Sequence, residues 1–309
     1  MRYALLFPAL LLFLMLSSHR PQNGQTWIWT VKSTRSSSAD IPWCRFFWVP
    51  GKMGGKHYDR SAMMIPVRVQ GCPCYFNFQF DLGADGTMIY GRTASSVTER
   101  YPGLDLRHPT LIFGDHIATF SNRVHLNSEF GARTKRFDTV ASLKCPDLGT
   151  IGVDMFQDKV LIIDYPNERF SVCEEIPAGY ATTMTDFTDD GHGRVILPMQ
   201  KGNEQYKVMF DNGSSVFQLI TSSANIDKFS KAAPVTHMKI SSWGSMHKVV
   251  GRPMKDPFTL AGRTYADILV YENPEGMSAG DGYDAITGNA LFDDRVLIID
   301  MKHKKVGIK

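Results

Sequence analysis

Residues 151–172, IGVDMFQDKVLIIDYPNERFSV, can be laid over residues 287–308, TGNALFDDRVLIIDMKHKKVGI, so that a glycine, a phenylalanine, an aspartate and the whole VLIID string coincide. No other feature of the 309 residues constrains the fold as much. A period of 130–136 residues is far too long for a solenoid unit and implies two related lobes. Each copy also lies downstream of a matching acid. FQFDLGADGTMIYG (78–91) and VMFDNGSSVFQLIT (208–221) each end an apolar run in an aspartate with a glycine two residues on. Gly152 follows Asp81 by 71 residues and Gly288 follows Asp211 by 77, so each unit has its acid first and its glycine and VLIID strand last.

Local patterning points to strands. MMIPVRVQG (63–71) and CYFNFQFD (74–81) alternate with the period of two of half-buried strands, and shorter β-rich runs follow at 247–250 and 265–271. Two segments, 91–103 and 221–234, read as short helices. The expected class is all-β, with residues 25–175 and 195–309 as the lobes and the polar stretch 176–194 as a linker.

Composition narrows the chemistry. A 43% apolar content supports a sizeable core, and a net charge of +3 from 34 basic and 31 acidic residues leaves no broad basic field for nucleic acid. The start, MRYALLFPALLLFLMLSSHRPQNGQ, has one arginine and then an apolar run from Tyr3 to Leu16, too short to span a bilayer and suited to a secretory signal over 1–24. The expectation is an exported, periplasmic or secreted protein whose mature chain does not span the membrane, with a retained N-terminal anchor as the alternative because no clean small-x-small cleavage site follows. Export makes Cys44, Cys72, Cys74, Cys145 and Cys173 disulfide candidates, with at least one left unpaired by the odd count. The Cys-x-Cys pair lacks the usual zinc spacer and no histidine stands at ligand spacing, so structural use is expected and no metal.

Rival motifs fall away one by one. Asp-x-Gly recurs at Asp147-Leu148-Gly149 and Asp189-Asp190-Gly191 without the apolar frame, so spacing alone carries nothing. VLIID imitates a metal-binding strand of phosphate-loop nucleotidases, but no G-x-x-x-x-G-K-[ST] is present. DFTDDGHG (186–193) lacks the ligand spacing and terminal glutamate of a calcium loop, and Ser214-Ser215 lack the G-x-S-x-G of a nucleophile elbow. Trp27, Trp29, Trp43 and Trp48 suit either carbohydrate binding or, as the expected use, a strand packed on the body.

The surviving frame is an apolar strand, Phe-Asp-x-Gly, a small residue and a second apolar run, once per lobe. It resembles the pepsin-like aspartic proteases, whose acid loops read Phe-Asp-Thr-Gly-Ser. GTIGVDMF (149–156) and AITGNALF (285–292) resemble that family's hydrophobic-hydrophobic-glycine segments, and the resemblance covers about residues 60–309. The similarity of the lobes and the plain N-terminus look more like a bacterial member than a digestive enzyme. The resemblance implies a bilobal fold of two related β-barrel-like lobes with the cleft between them. It also implies catalytic acids Asp81 and Asp211, supporting glycines Gly152 and Gly288, a peptide or protein substrate, no cofactor, and a monomer. The acid loops would comprise Leu82, Gly83 and Ala84 in one lobe and Asn212, Gly213 and Ser214 in the other. Two close carboxylates cannot both ionise comfortably, so they would share a proton and activate a water. Gly83 and Gly213 would let each loop turn and approach its twin.

The sequence departs from the family inside those loops. Leu82 and Asn212 replace the threonine or serine whose hydroxyl helps lock the loops; leucine cannot make that bond, and any contact from Asn212 would be asymmetric. No tyrosine lies between Tyr101 and Tyr165 to serve as a flap tyrosine, and the flap is expected within 111–143. Three readings follow: an acid endopeptidase; a non-catalytic cleft that binds a peptide or glycan or serves as an envelope scaffold; and a fold unrelated to proteases in which the acids are ordinary turn residues. Hydrogen-bond proximity of the two carboxyls would exclude the third.

Overall fold

A computed structural model describes residues 27–31, 41–114, 116–120, 124–127, 146–242, 245–254, 256–273 and 282–309. The expected signal segment 1–24, Cys145 and much of the expected flap stretch lie outside the described residues.

The repeat organises the molecule. In each lobe a strand runs into the acid, the chain turns, and a later strand inserts between the two arms of that turn. Tyr75–Phe80 leads to Asp81; Asp147–Ile151 pairs parallel to it and antiparallel to Met88–Tyr90, the strand that follows the acid loop. In the second lobe Glu204–Phe210 leads to Asp211, and Ala285–Thr287 pairs parallel to it and antiparallel to Leu219–Thr221. The inserted strands end at Ile151 and Thr287, so Gly152 and Gly288 arrive beside the acid loops.

These elements sit in a nine-stranded sheet and a ten-stranded sheet, one per lobe. A third, six-stranded sheet joins them. At its centre the two VLIID strands, Val160–Asp164 and Val296–Asp300, pair antiparallel about Ile162 and Ile298, so the duplicated sequence pairs with itself. Alternation then decides burial: Phe76, Phe78 and Phe80 face the core of the first lobe, and Val208 and Phe210 that of the second, all fully buried. The expected two-lobed, all-β architecture is present.

Details of the sequence reading change. The helix expected over 91–103 is Gly91–Arg100, ended by Tyr101, whose N–H reaches Val97 O, and by Pro102. Over 221–234 only Ile226–Phe229 is helical, because Ser230 turns extended and its Oγ donates to Pro253 O. The run 265–271 divides between Arg263–Tyr265 and Leu269–Glu272, with Asp267 left-handed between them (φ 55°). The polar stretch 176–194 contributes strands Met184–Asp186 and Thr188–Asp189 to two different sheets. No disulfide joins Cys44, Cys72, Cys74 and Cys173, the four described cysteines. No described helix is long and apolar enough to cross a membrane.

The N-terminal tryptophans pack on the body. Trp27–Val31 is the outermost strand of the nine-stranded sheet, paired to His116–Phe120, and Trp29 packs its ring on Phe113 and Phe156 at centroid separations of 5.5 and 5.9 Å.

Candidate active site

Asp81 and Asp211 meet between the lobes. Each carboxyl lies within hydrogen-bond reach of the other, and both are almost completely buried. The loops are interleaved: a Cβ on Gly83 would stand 2.5 Å from Asp211 Oδ1, and one on Gly213 would stand 2.6 Å from Asp81 Cγ. Neither glycine is left-handed. Both glycines let backbone lie against the opposite acid, and neither loop needs a left-handed residue to do so.

The two acids are not equivalent. Asp211 Oδ1 accepts the Gly213 N–H (2.9 Å) and the Ser214 N–H (3.3 Å), and its Oδ2 accepts Ser214 Oγ–H (2.9 Å). Asp81 Oδ1 accepts the Gly83 N–H (3.0 Å), but the position matching Ser214 is Ala84, and no protein donor reaches Asp81 Oδ2. Burial raises both acids above the ordinary carboxylate range. Asp81 is pushed well above it, by burial first and then by the negative charge of Asp211, whereas donors from Asp81, Ser214 and Gly213 hold Asp211 lower. The unequal donors favour the charge on Asp211 and leave the proton that the pair shares to Asp81.

Asn212 locks the loops. Its Oδ1 accepts the backbone N–H of Leu82 from the other lobe, and its Nδ2 approaches Met63 Sδ at 3.9 Å. Leu82 makes no reciprocal side-chain bond and is buried in the apolar core. The contact is asymmetric, as the residue types required. Behind it, Asn289 Nδ2 donates to Asn212 O (2.7 Å) and Ser215 Oγ (2.9 Å), while Tyr165 of the first lobe donates its hydroxyl to Asn289 Oδ1 (2.6 Å). On the first-lobe side the corresponding support is Asp154, bonded to Thr87. Sequence reasoning passed over Asn289 and Asp154. Both were visible as positions where the repeat copies differ in polarity, Asn289 over Val153 and Asp154 over Ala290.

The walls beside the acids differ in chemistry. Residues two before each acid share its face of the strand. Around Asp81 the pairing gives the row Met64, Gln79, Thr150, Met88; around Asp211 it gives Ile196, Met209, Ile286, Ile220, Tyr271. The second row is apolar and buried, and it shares a cluster with Met238, Ile240 and Val249 of its own lobe and with Met53 of the first. Met53 arrives on a hairpin, Phe47–Met53 and Lys56–Val69, that crosses between lobes. At its tip Gly54 leaves so little room that an added Cβ would stand 2.9 Å from His237 O. Arg60 on the same hairpin bonds to Asp293 O (2.8 Å) of the second lobe. The paired strands Thr110–Phe113 and His116–Phe120 overlap the start of the expected flap stretch 111–143.

The described residues contain no group of three or more metal-ligating side chains. No family model matches the chain. No curated protein matches it either. Among solved structures, an aspartic proteinase from Irpex lacteus aligns with 80% of this chain and 93% of its own, at 12% identity and a TM-score of 0.44. By the strand topology described above, the fold is two related β lobes joined by a shared six-stranded sheet.

Proposed function

We propose that this chain is an exported aspartic endopeptidase that hydrolyses peptide bonds through a water held by Asp81 and Asp211. The observation that carries the reading is the hydrogen-bond proximity of two buried acids, one per duplicated loop, with unequal donors that separate a protonated Asp81 from an ionised Asp211. It supports the readings in which the two acids act together over the one in which both are ordinary turn residues.

The chemistry follows from that inequality. Asp211 takes a proton from water as its oxygen bonds to the peptide carbonyl carbon, and Asp81 gives its proton to the carbonyl oxygen. The tetrahedral diol then collapses: one hydroxyl proton returns to the pair, the amide nitrogen receives a proton from it, and the C–N bond breaks. Two carboxyls and one shared proton are restored. No metal or organic cofactor enters these steps. The apolar run at Tyr3–Leu16 supports export.

A second reading, a non-catalytic cleft for a peptide or glycan, is favoured by one observation: the acids are 0% and 1% exposed and the apolar wall beside Asp211 is occupied by Met53 of the same chain. Incubating the chain without residues 1–24 with a diverse peptide mixture across pH 3–7 separates the two. Cuts that vanish in Asp211→Asn and with a statine-type inhibitor support the peptidase. No cuts from folded protein support the binding cleft.

A further inference from the structure

We propose that Asp154 is a positioning residue for the Asp81 loop and that the N-terminal strand Trp27–Val31 completes its clamp through Trp27. Only the kinetic half of the inference rests on the peptidase reading.

The loop from Asp81 to Thr87 lies on the segment 151–155. Its start is fixed by the Asp81 N–H on Ile151 O (3.0 Å) and its middle by the Val153 N–H on Ala84 O (2.9 Å). Gly152 approaches so closely that a Cβ there would stand 2.5 Å from Gly86 C. The far end is held by a side chain. Asp154 Oδ1 accepts both the N–H (2.8 Å) and the Oγ1–H (2.7 Å) of Thr87, whose Oγ1 in turn accepts the Gly152 N–H (3.1 Å). Asp154 Oδ2 accepts the Trp27 indole N–H (3.0 Å), and the Trp29 indole N–H reaches Met155 O (2.7 Å) on the same turn. Two indoles of one outer strand therefore grip the turn that carries the clamp.

The choice of an acid has a chemical reason. All these partners of the carboxyl are donors, and a carboxylate, the form Asp154 holds above about pH 6, is the side chain that only accepts. An asparagine would aim an NH₂ at one of them. The other lobe shows the alternative: Ala290 stands at the position of Asp154, and Asn289 clamps its loop by donating to Asn212 O and Ser215 Oγ. The second-lobe clamp is completed by Tyr165 from the body of the first lobe, the first-lobe clamp by the N-terminal strand. That strand is then a working part of the site.

The test uses Asp154→Asn, Trp27→Phe, Thr87→Val and Thr87→Ser in the chain lacking residues 1–24. With the peptide mixture as substrate, the first three are expected to lower kcat by about tenfold or more at little-changed KM, since a small misplacement suffices. Thr87→Ser, which keeps the hydroxyl, is expected within about twofold of the parent. Amide hydrogen exchange over residues 82–87 is read in parallel: faster exchange in the first three variants, with Thr87→Ser like the parent, supports the clamp. Parental exchange and parental kcat in Trp27→Phe and Thr87→Val overturn it, even if Asp154→Asn fails to fold. If the parent chain cuts no peptide, the peptidase reading fails and the exchange data alone decide the clamp.

Discussion

The Leu82 backbone N–H is held by the Asn212 side-chain oxygen across the lobe boundary, so an amide on one loop replaces the pair of hydroxyls that resemblance to pepsin-like proteases would place on both. Removing that oxygen leaves a buried N–H without an acceptor. Asn212→Ala is expected to cost about 1–3 kcal/mol by denaturant unfolding, with a parallel loss of cleavage rate. Leu82→Thr is expected to destabilise as well, because it sets a hydroxyl into apolar core without providing an acceptor that the loop lacks. A gain in activity from Leu82→Thr with Asn212→Thr would show that the amide bridge is inferior to the hydroxyl pair.

The unequal donors at Asp81 and Asp211 make their substitutions unequal in stability but alike in activity. Asp81→Asn and Asp211→Asn are both expected to reduce peptide cleavage by about 10²–10⁴-fold, the usual range for losing an acid–base group. Asp81→Asn also removes one of two facing acids, so its Tm at pH 7 is expected to rise. Turnover retained in both variants would exclude the pair as the catalytic centre.

Acid should stabilise this fold. Burial raises Asp81, Asp211 and Asp154, the last to about 6, above their unfolded values. A raised carboxyl binds its proton more tightly when folded, so its contribution is fully present below the unfolded value near 3.8 and is lost as pH rises through the folded one. For Asp154 the window is about pH 4–6, worth at most about 3 kcal/mol and less because its side chain keeps some solvent contact. Asp105 and Asp189 are lowered by hydrogen bonds from His108 and Lys304, and their contributions fade as pH falls below the ordinary carboxylate range. The urea midpoint is expected to be higher at pH 4.5 than at pH 7, and flat behaviour would contradict the raised acids.

The lobe-crossing hairpin sets a separate expectation. Gly54 is left-handed (φ 55°) and a Cβ added there would stand 2.9 Å from His237 O, so Gly54→Val should loosen the tip and expose Met53. Limited proteolysis near residues 54–57 should quicken. If the hairpin limits entry beside Asp211, peptide cleavage by this variant should rise several-fold; an unchanged rate would mean that the tip only braces the lobes.

The sequence by itself determined the duplication, the all-β class, the pairing of each acid with a later glycine and the asymmetry of the loops. These are local or periodic properties: VLIID appears twice, phenylalanines alternate before Asp81, and leucine cannot offer a hydroxyl. Ser214 against Ala84 already contained the inequality of the two acids, although its meaning depended on the carboxyls being brought together. Only the tertiary structure decided which distant groups satisfy the loops. Trp27 reaches Asp154 across 127 positions and Tyr165 reaches Asn289 across 124, separations at which no spacing rule applies. The hairpin carrying Met53 and the division of the run 265–271 were hidden for the same reason, since a strand's partner and its bends follow from what it packs against rather than from its own alternation.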